Sequence, residues 1–124
     1  MRAGDVFRFT GIADIHVWMI ISDPGLDAGK VLMVNFTTWE PALDQGCLID
    51  VGEHSFISGR TVINYARSKV VTNAQLEKLK ADGRLSMLEP LSAALLRKVR
   101  DGAMLSVTIP IEHGTILLDQ EAEE

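Results

Sequence analysis

Residues able to hold soft or borderline metals are scarce: one cysteine, Cys47, and three histidines, His16, His54 and His113. A lone cysteine makes no internal disulfide, and the scarcity fits a reducing cytoplasm. The histidines form no HxH or HxxxH pair, and one cysteine excludes CxxC sites, so neither a metal nor another cofactor is expected. Long apolar runs are missing too. The longest, Val17 to Ile21, is strand-sized against the roughly 18 residues that cross a bilayer, and no membrane association is expected. The opening MRAGDVFRF has no apolar stretch before a cleavage site and does not read as a secretory signal. Neither GxxxxGK[ST] nor GxGxxG after a strand occurs, which excludes the familiar phosphate cradles. Positive charge is also short. At a formal net charge of −5 the chain has no broad electrostatic drive toward nucleic acid, and RNA contact would rest on a local basic patch.

What is present suits one globular domain. The 124 residues are 47% hydrophobic and 23% charged, enough for a single core. Residues 1–119 are read as that domain and 120–124 as an acidic flexible tail. Gly4 to Thr10 alternates as a strand does, with Phe7 and Phe9 on one side and Val6 and Arg8 on the other. His16 to Ser22 is apolar on both faces, as a central strand is. After the turn signal Asp23-Pro24-Gly25, a third strand covers Val31 to Thr38. It aims Leu32, Val34, Phe36 and Thr38 one way and Val31, Met33, Asn35 and Thr37 the other. Gly11 to Ile15 and Trp39 to Gly46 read as connections. Cys47 to Val51 is a short strand. Thr61 to Val71 is a longer one in which neither face is cleanly apolar, which points to a bulge or a passage from core to surface.

Two helices are expected next. Thr72-Asn73-Ala74-Gln75 is a capping-box pattern opening a helix that Gly83 stops. Pro90 suits the first turn of a second helix, ended by Asp101-Gly102. Val107, Ile109 and Ile111 alternate and, with Pro110, predict an edge strand, with 116–118 pairing nearby. The fold class is mainly β within α+β: a small curled β-barrel of about five to seven strands with two helices toward the C-terminus.

Candidate chemistry gathers between Cys47 and Val71. Cys47 opens an apolar strand and reads as a packed small hydrophobe rather than a nucleophile. Asn35-Phe36-Thr37 matches a glycosylation sequon and is set aside for want of a secretory signal. A polar set remains at strand ends and turns: His16, Thr37, Thr38, His54, Arg60, Tyr65, Arg67 and Lys69. Metal-free RNA cleavage needs a base for the 2′-hydroxyl, an acid for the leaving oxygen and a cation for the phosphorane, and these residue types supply such groups. On spacing alone they read first as solvated side chains on short strands.

The order GDVFRF, then VWMIISDP, then a strand ending in FTT resembles the PemK/MazF-like toxin family over residues 4–71. The resemblance implies an SH3-like barrel with added helices, a homodimer, mRNA cleavage without metal, and an antitoxin protein whose disordered segment folds on the toxin. Matching IIS to the family's VIS places His16 where the family carries a catalytic arginine before proline. Thr37 and Thr38 fall on its Thr-Ser pair, Arg67 falls near a family arginine, and Asn64 falls where a strand-borne acid is found. The implied catalytic residues are His16, Thr38 and Arg67. Single-stranded RNA would be bound by Thr37, His54, Arg60, Tyr65 and Lys69. Histidine can act as acid or base near neutral pH, whereas asparagine cannot. Two other readings stand beside the toxin: a non-catalytic relative that binds RNA or a protein partner, and an oligomer whose surface serves assembly.

Overall fold

Strand alternation carries the first third of the chain. The structure, a computed structural model, describes residues 1–11, 16–26, 28–39 and 47–123. Most of the connections expected at Gly11–Ile15 and Trp39–Gly46 therefore lie outside the described residues. Strands β1 (Val6–Phe9), β2 (Trp18–Ile20), β3 (Lys30–Thr38), β4 (Leu48–Ile49), β5 (Thr61–Ile63), β6 (Lys69–Thr72) and β7 (Leu85–Leu88) form one antiparallel sheet. Its order is β4-β5-β3-β2-β1-β7, with β6 also on β3. The strand number and the α+β class agree with the sequence. Closure does not: β4 and β7 end the sheet, so the expected barrel is open among the described residues.

Burial follows the pleat. Val6, Met19, Leu32, Val34 and Phe36 belong to the larger core cluster, which also holds Cys47, Ile49 and Ile63. Phe7, Trp18, Ile20, Val31 and Met33 form a second cluster on the opposite face. The helices divide accordingly. α1 (Asn73–Ala81) lays Leu76 on the second cluster, while α2 (Ala93–Leu105) and α3 (Ile111–Glu123) bring Leu95, Val99 and Leu117 to the first. No described helix is long and apolar enough to cross a membrane.

The Thr61–Val71 segment is two strands, not one. β3 pairs along a single edge with β5 at its C-terminal half (Phe36 opposite Ile63) and with β6 at its N-terminal half (Met33 opposite Lys69). Six steps of chain, 63 to 69, thus span three steps of β3, 33 to 36, and three residues are extruded. They emerge as the 3-10 turn Tyr65–Arg67. An odd insertion inverts the pleat. Ile63 faces the larger core from β5, whereas in β6 the even-numbered Val70 packs against it and Lys69 is exposed. This inversion is why neither face of the segment is apolar throughout.

The capping box forms as expected: Thr72 Oγ1 accepts from the Gln75 amide and the Gln75 side chain accepts from the Thr72 amide. Downstream, the structure corrects the sequence. Leu85–Leu88 is a strand on β1, and the second helix starts after Ser92, whose hydroxyl accepts from Leu95 N, not at Pro90. That helix runs through Asp101-Gly102 to Leu105 because Val99 and Ala103 are buried on its inner face. Glycine inside a helix costs about 1 kcal/mol, which such burial outweighs.

The edge strand expected at 107–111 and its companion at 116–118 are replaced by a third helix, α3. Pro110 sits just before it, and its carbonyl accepts from His113 N and Gly114 N. Residues 120–123, expected as part of a loose tail, continue α3. Gln120, 2% exposed, pairs twice with the backbone of Asp23: its Oε1 accepts from Asp23 N at 2.8 Å and its Nε2 donates to Asp23 O at 3.0 Å. Glu121 accepts from Arg97 at 2.7 Å and from the buried Arg100 at 2.9 Å.

These ion pairs make the fold acid-sensitive. The Arg97 guanidinium, then that of Arg100, holds the Glu121 carboxyl below the usual glutamate range. The Asp50 backbone N–H, then Lys98, does the same for Glu53. A carboxylate whose pKa is lower in the folded than the unfolded chain contributes stability above its ordinary pKa of about 4.3 and loses it as pH falls. Urea midpoints should therefore be level from pH 7 to about 5 and decline below, and Glu121→Gln should flatten the decline. A wild-type midpoint unchanged at pH 3.5 would contradict this.

Candidate functional site

β2 and β3 carry the polar residues to one end of the sheet. Trp18 lies opposite Asn35 and Ile20 opposite Met33. Directly opposed residues share a face, so the face that is apolar at Ile20, Val31 and Met33 becomes polar at Asn35, Thr37 and Lys69. Two grooves open there. The first, about 530 Å³, is lined by His16, Thr37, Thr38, Phe56, Ser58, Gly59, Arg60 and neighbouring apolar residues. The second, about 460 Å³, is lined by His16, Trp18, Asn35, Ala66, Arg67, Ser68 and Lys69. His16 is the wall between them.

Six of the eight residues singled out by sequence thus line these grooves: His16, Thr37, Thr38 and Arg60 in the first, and His16, Arg67 and Lys69 in the second. Arg60, Arg67 and Lys69 are exposed, and none pairs with a carboxylate among the described residues. No described aspartate or glutamate lines either groove. Among the described residues no cluster of three or more His, Cys, Asp and Glu side chains is placed to hold a metal ion.

Two expected RNA contacts are interior instead. Tyr65 is fully buried and donates its hydroxyl to Val99 O at 2.8 Å, tying the extruded turn to α2. A phenol on the core side of the sheet does not reach a ligand. His54 is 5% exposed, and both ring nitrogens are engaged. Nδ1 accepts from Phe56 N at 3.0 Å, which puts the proton on Nε2, facing Glu89 O at 2.6 Å. It orders the Glu53–Ile57 turn rather than meeting a ligand. Asn64, at the family's acid position, links backbones: its N–H donates to Asn35 O and its carbonyl accepts from Arg67 N. Cys47 is buried as expected.

Sequence reasoning missed three groups. Phe56 is 40% exposed at the first groove, stacked on Phe36 at 6.3 Å with 21° between ring planes. The Arg8 guanidinium lies 5.6 Å from the Phe56 ring, and that of Arg60 lies 5.5 Å from the Trp39 ring. A lone aromatic in the polar run GEHSFISGR was the available signal for Phe56. Asn35 is the third; its one local mark, the Asn-Phe-Thr sequon, points to glycosylation and not to a groove. It is fully buried, which removes it as a glycosylation acceptor, and both atoms of its amide lack a hydrogen-bond partner. Cations beside aromatic faces, hydroxyls and an imidazole suit a flexible polyanion that carries rings.

No protein-family model matches the chain, and no curated protein does. Among solved structures it is similar to an endoribonuclease in complex with its cognate antitoxin, from a mycobacterial species. The TM-score is 0.56 at 16% identity, covering 89% of this chain and 97% of that one. At that identity the likeness is one of fold.

Proposed function

We propose that the chain is the toxin of a toxin–antitoxin pair, of the PemK/MazF type, cutting single-stranded RNA in the cytoplasm without a metal ion. It would act as a homodimer restrained by an antitoxin protein. The observation that carries this reading is the meeting of two cation-bearing grooves at His16, free of carboxylates among the described residues, in a chain of net charge −5. Such a lining concentrates local positive potential where the whole chain has none. The fold likeness to an endoribonuclease bound to its antitoxin supports it.

The chemistry follows from the side chains. His16 carries the one imidazole among the described residues lining the grooves, the side chain best suited to accept a proton there, so it takes the 2′-hydroxyl proton. The 2′ oxygen bonds to phosphorus and the P–O5′ bond breaks. The 5′ oxygen takes a proton from solvent, leaving a 2′,3′-cyclic phosphate and a 5′-hydroxyl. Arg67 offsets charge on the phosphorane, and the Thr38 hydroxyl donates to a non-bridging oxygen. Arg60, Lys69 and Thr37 hold flanking phosphates.

Purified protein should cut a single-stranded RNA oligonucleotide in excess EDTA and leave cyclic-phosphate ends. Its expression without antitoxin should arrest bacterial growth. Intact RNA and normal growth would sink the reading and leave a binding module in its place.

A further inference from the structure

Proton delivery to the 5′ oxygen is the one step of the cleavage with no side chain assigned to it. An alkoxide leaves poorly, and protonating it as the bond breaks is a large part of what general acids contribute. Among the described residues the groove that joins His16 to Arg67 holds one hydroxyl, that of Ser68. The other polar side chains there serve less well. His16 is the base, an amide such as that of Asn35 gives up no proton, and guanidinium and ammonium groups hold theirs tightly at neutral pH.

Ser68 is held in place from several sides. It is buried and closes the extruded turn, its N–H donating to Tyr65 O at 3.1 Å. The same turn is tied to α2 through the Tyr65 hydroxyl. From α3, 45 residues further along the chain, His113 brings Nδ1 to 2.7 Å from Ser68 Oγ. His113 is half-buried and does not line the groove, so it stands behind the hydroxyl. Its Nε2 has no partner among the described residues and is not one of their buried unpaired atoms, so it meets solvent.

We propose that Ser68 is the general acid of the cleavage, and that His113 is a positioning residue that supplies protons through it. The proposal rests on the ribonuclease reading and adds a step to it. As the P–O5′ bond breaks, its electron pair goes to the 5′ oxygen, which takes the proton of the Ser68 hydroxyl. In the tautomer with the proton on Nδ1, His113 donates to Ser68 Oγ and passes that proton on, while Nε2 takes one from solvent. The serine is thereby restored, and the imidazole is left as its other tautomer, which solvent resets. His16 later releases the 2′-hydroxyl proton to solvent, so no proton is consumed over the cycle. A serine alone is no acid, and the imidazole behind it is what makes this one a relay.

The test changes the leaving group. One bond that the wild type cuts in EDTA is mapped, and the same oligonucleotide is made with sulfur in place of the 5′ oxygen at that bond. A thiolate leaves without a proton, so the sulfur substrate has no need of an acid. Ser68→Ala should slow cleavage at oxygen by a factor on the order of 10² to 10⁴, and its sulfur-to-oxygen rate ratio should rise by the same factor. His113→Asn sets an amide atom near the place of Nδ1, keeps a hydrogen bond to Ser68 and passes no proton; its ratio should rise too. Both rates come from one preparation, so partial unfolding lowers them alike and leaves the ratio untouched. A hydrogen bond that only staples the turn to α3 would slow both substrates equally, and an unchanged ratio in the two variants would overturn the proposal. A ratio that rises in Ser68→Ala alone would remove His113 from the relay. Failure of the wild type to cut either substrate would overturn the ribonuclease reading and the acid with it.

Discussion

His16→Ala should reduce RNA cleavage by a factor on the order of 10² to 10⁴, the usual contribution of a positioned proton-transfer group. Affinity for RNA should change little, because Arg60, Arg67 and Lys69 still line the grooves. The split separates two roles for the residue that stands where the resembled family has an arginine. Arginine stays protonated and can offer only charge and hydrogen bonds, whereas histidine can accept the 2′-hydroxyl proton. His16→Arg is therefore informative: it installs a permanent cation and removes the base, and should bind RNA while cutting as poorly as His16→Ala. Oligonucleotide cleavage measured beside filter binding decides the matter. Wild-type turnover in His16→Ala would remove His16 from the chemistry.

Leu117→Ala should destabilise the fold by about 3 kcal/mol, within the usual 2–5 kcal/mol for emptying a fully buried leucine site. Leu117 is 0% exposed and belongs to the larger core cluster, whereas Ile111 on the same helix is 84% exposed. Ile111→Ala is the control and should fall within about 0.5 kcal/mol of wild type, as exposed substitutions do. Urea titration of both variants measures the difference. Equal midpoints would mean that α3 is not part of the cooperative fold.

The contrast between the two ends of the chain shows what the sequence made legible. β1 followed from period-2 alternation, β2 and β3 from short runs rich in apolar β-formers and the opening of α1 from a capping box, because local preference and burial agree there. α3 was misread because Val107, Ile109 and Ile111 alternate like a strand. The structure exposes Val107 and Ile111, and the helix is fixed instead by Leu117 and Gln120, whose partners lie on distant elements. β7 was invisible for the same reason: its pairing with β1 joins residues far apart in sequence. The candidate site divides similarly. His16, Thr37, Thr38, Arg60, Arg67 and Lys69 came from residue type at strand ends. The interior placement of Tyr65 and His54, and the unpaired amide of Asn35, depend on register across the sheet.

The three-residue extrusion between β5 and β6 joins two registers on one edge of β3. Facing in β6 is set by its pairing with β3, so a one-residue change between Asn64 and Ser68 leaves every side chain in place as long as the turn absorbs it. A one-residue slip of β6 along β3 would instead turn Lys69 and Val71 toward the larger core and Val70 toward the second cluster. The turn, exposed at Ala66 and Arg67, is what separates length from register here.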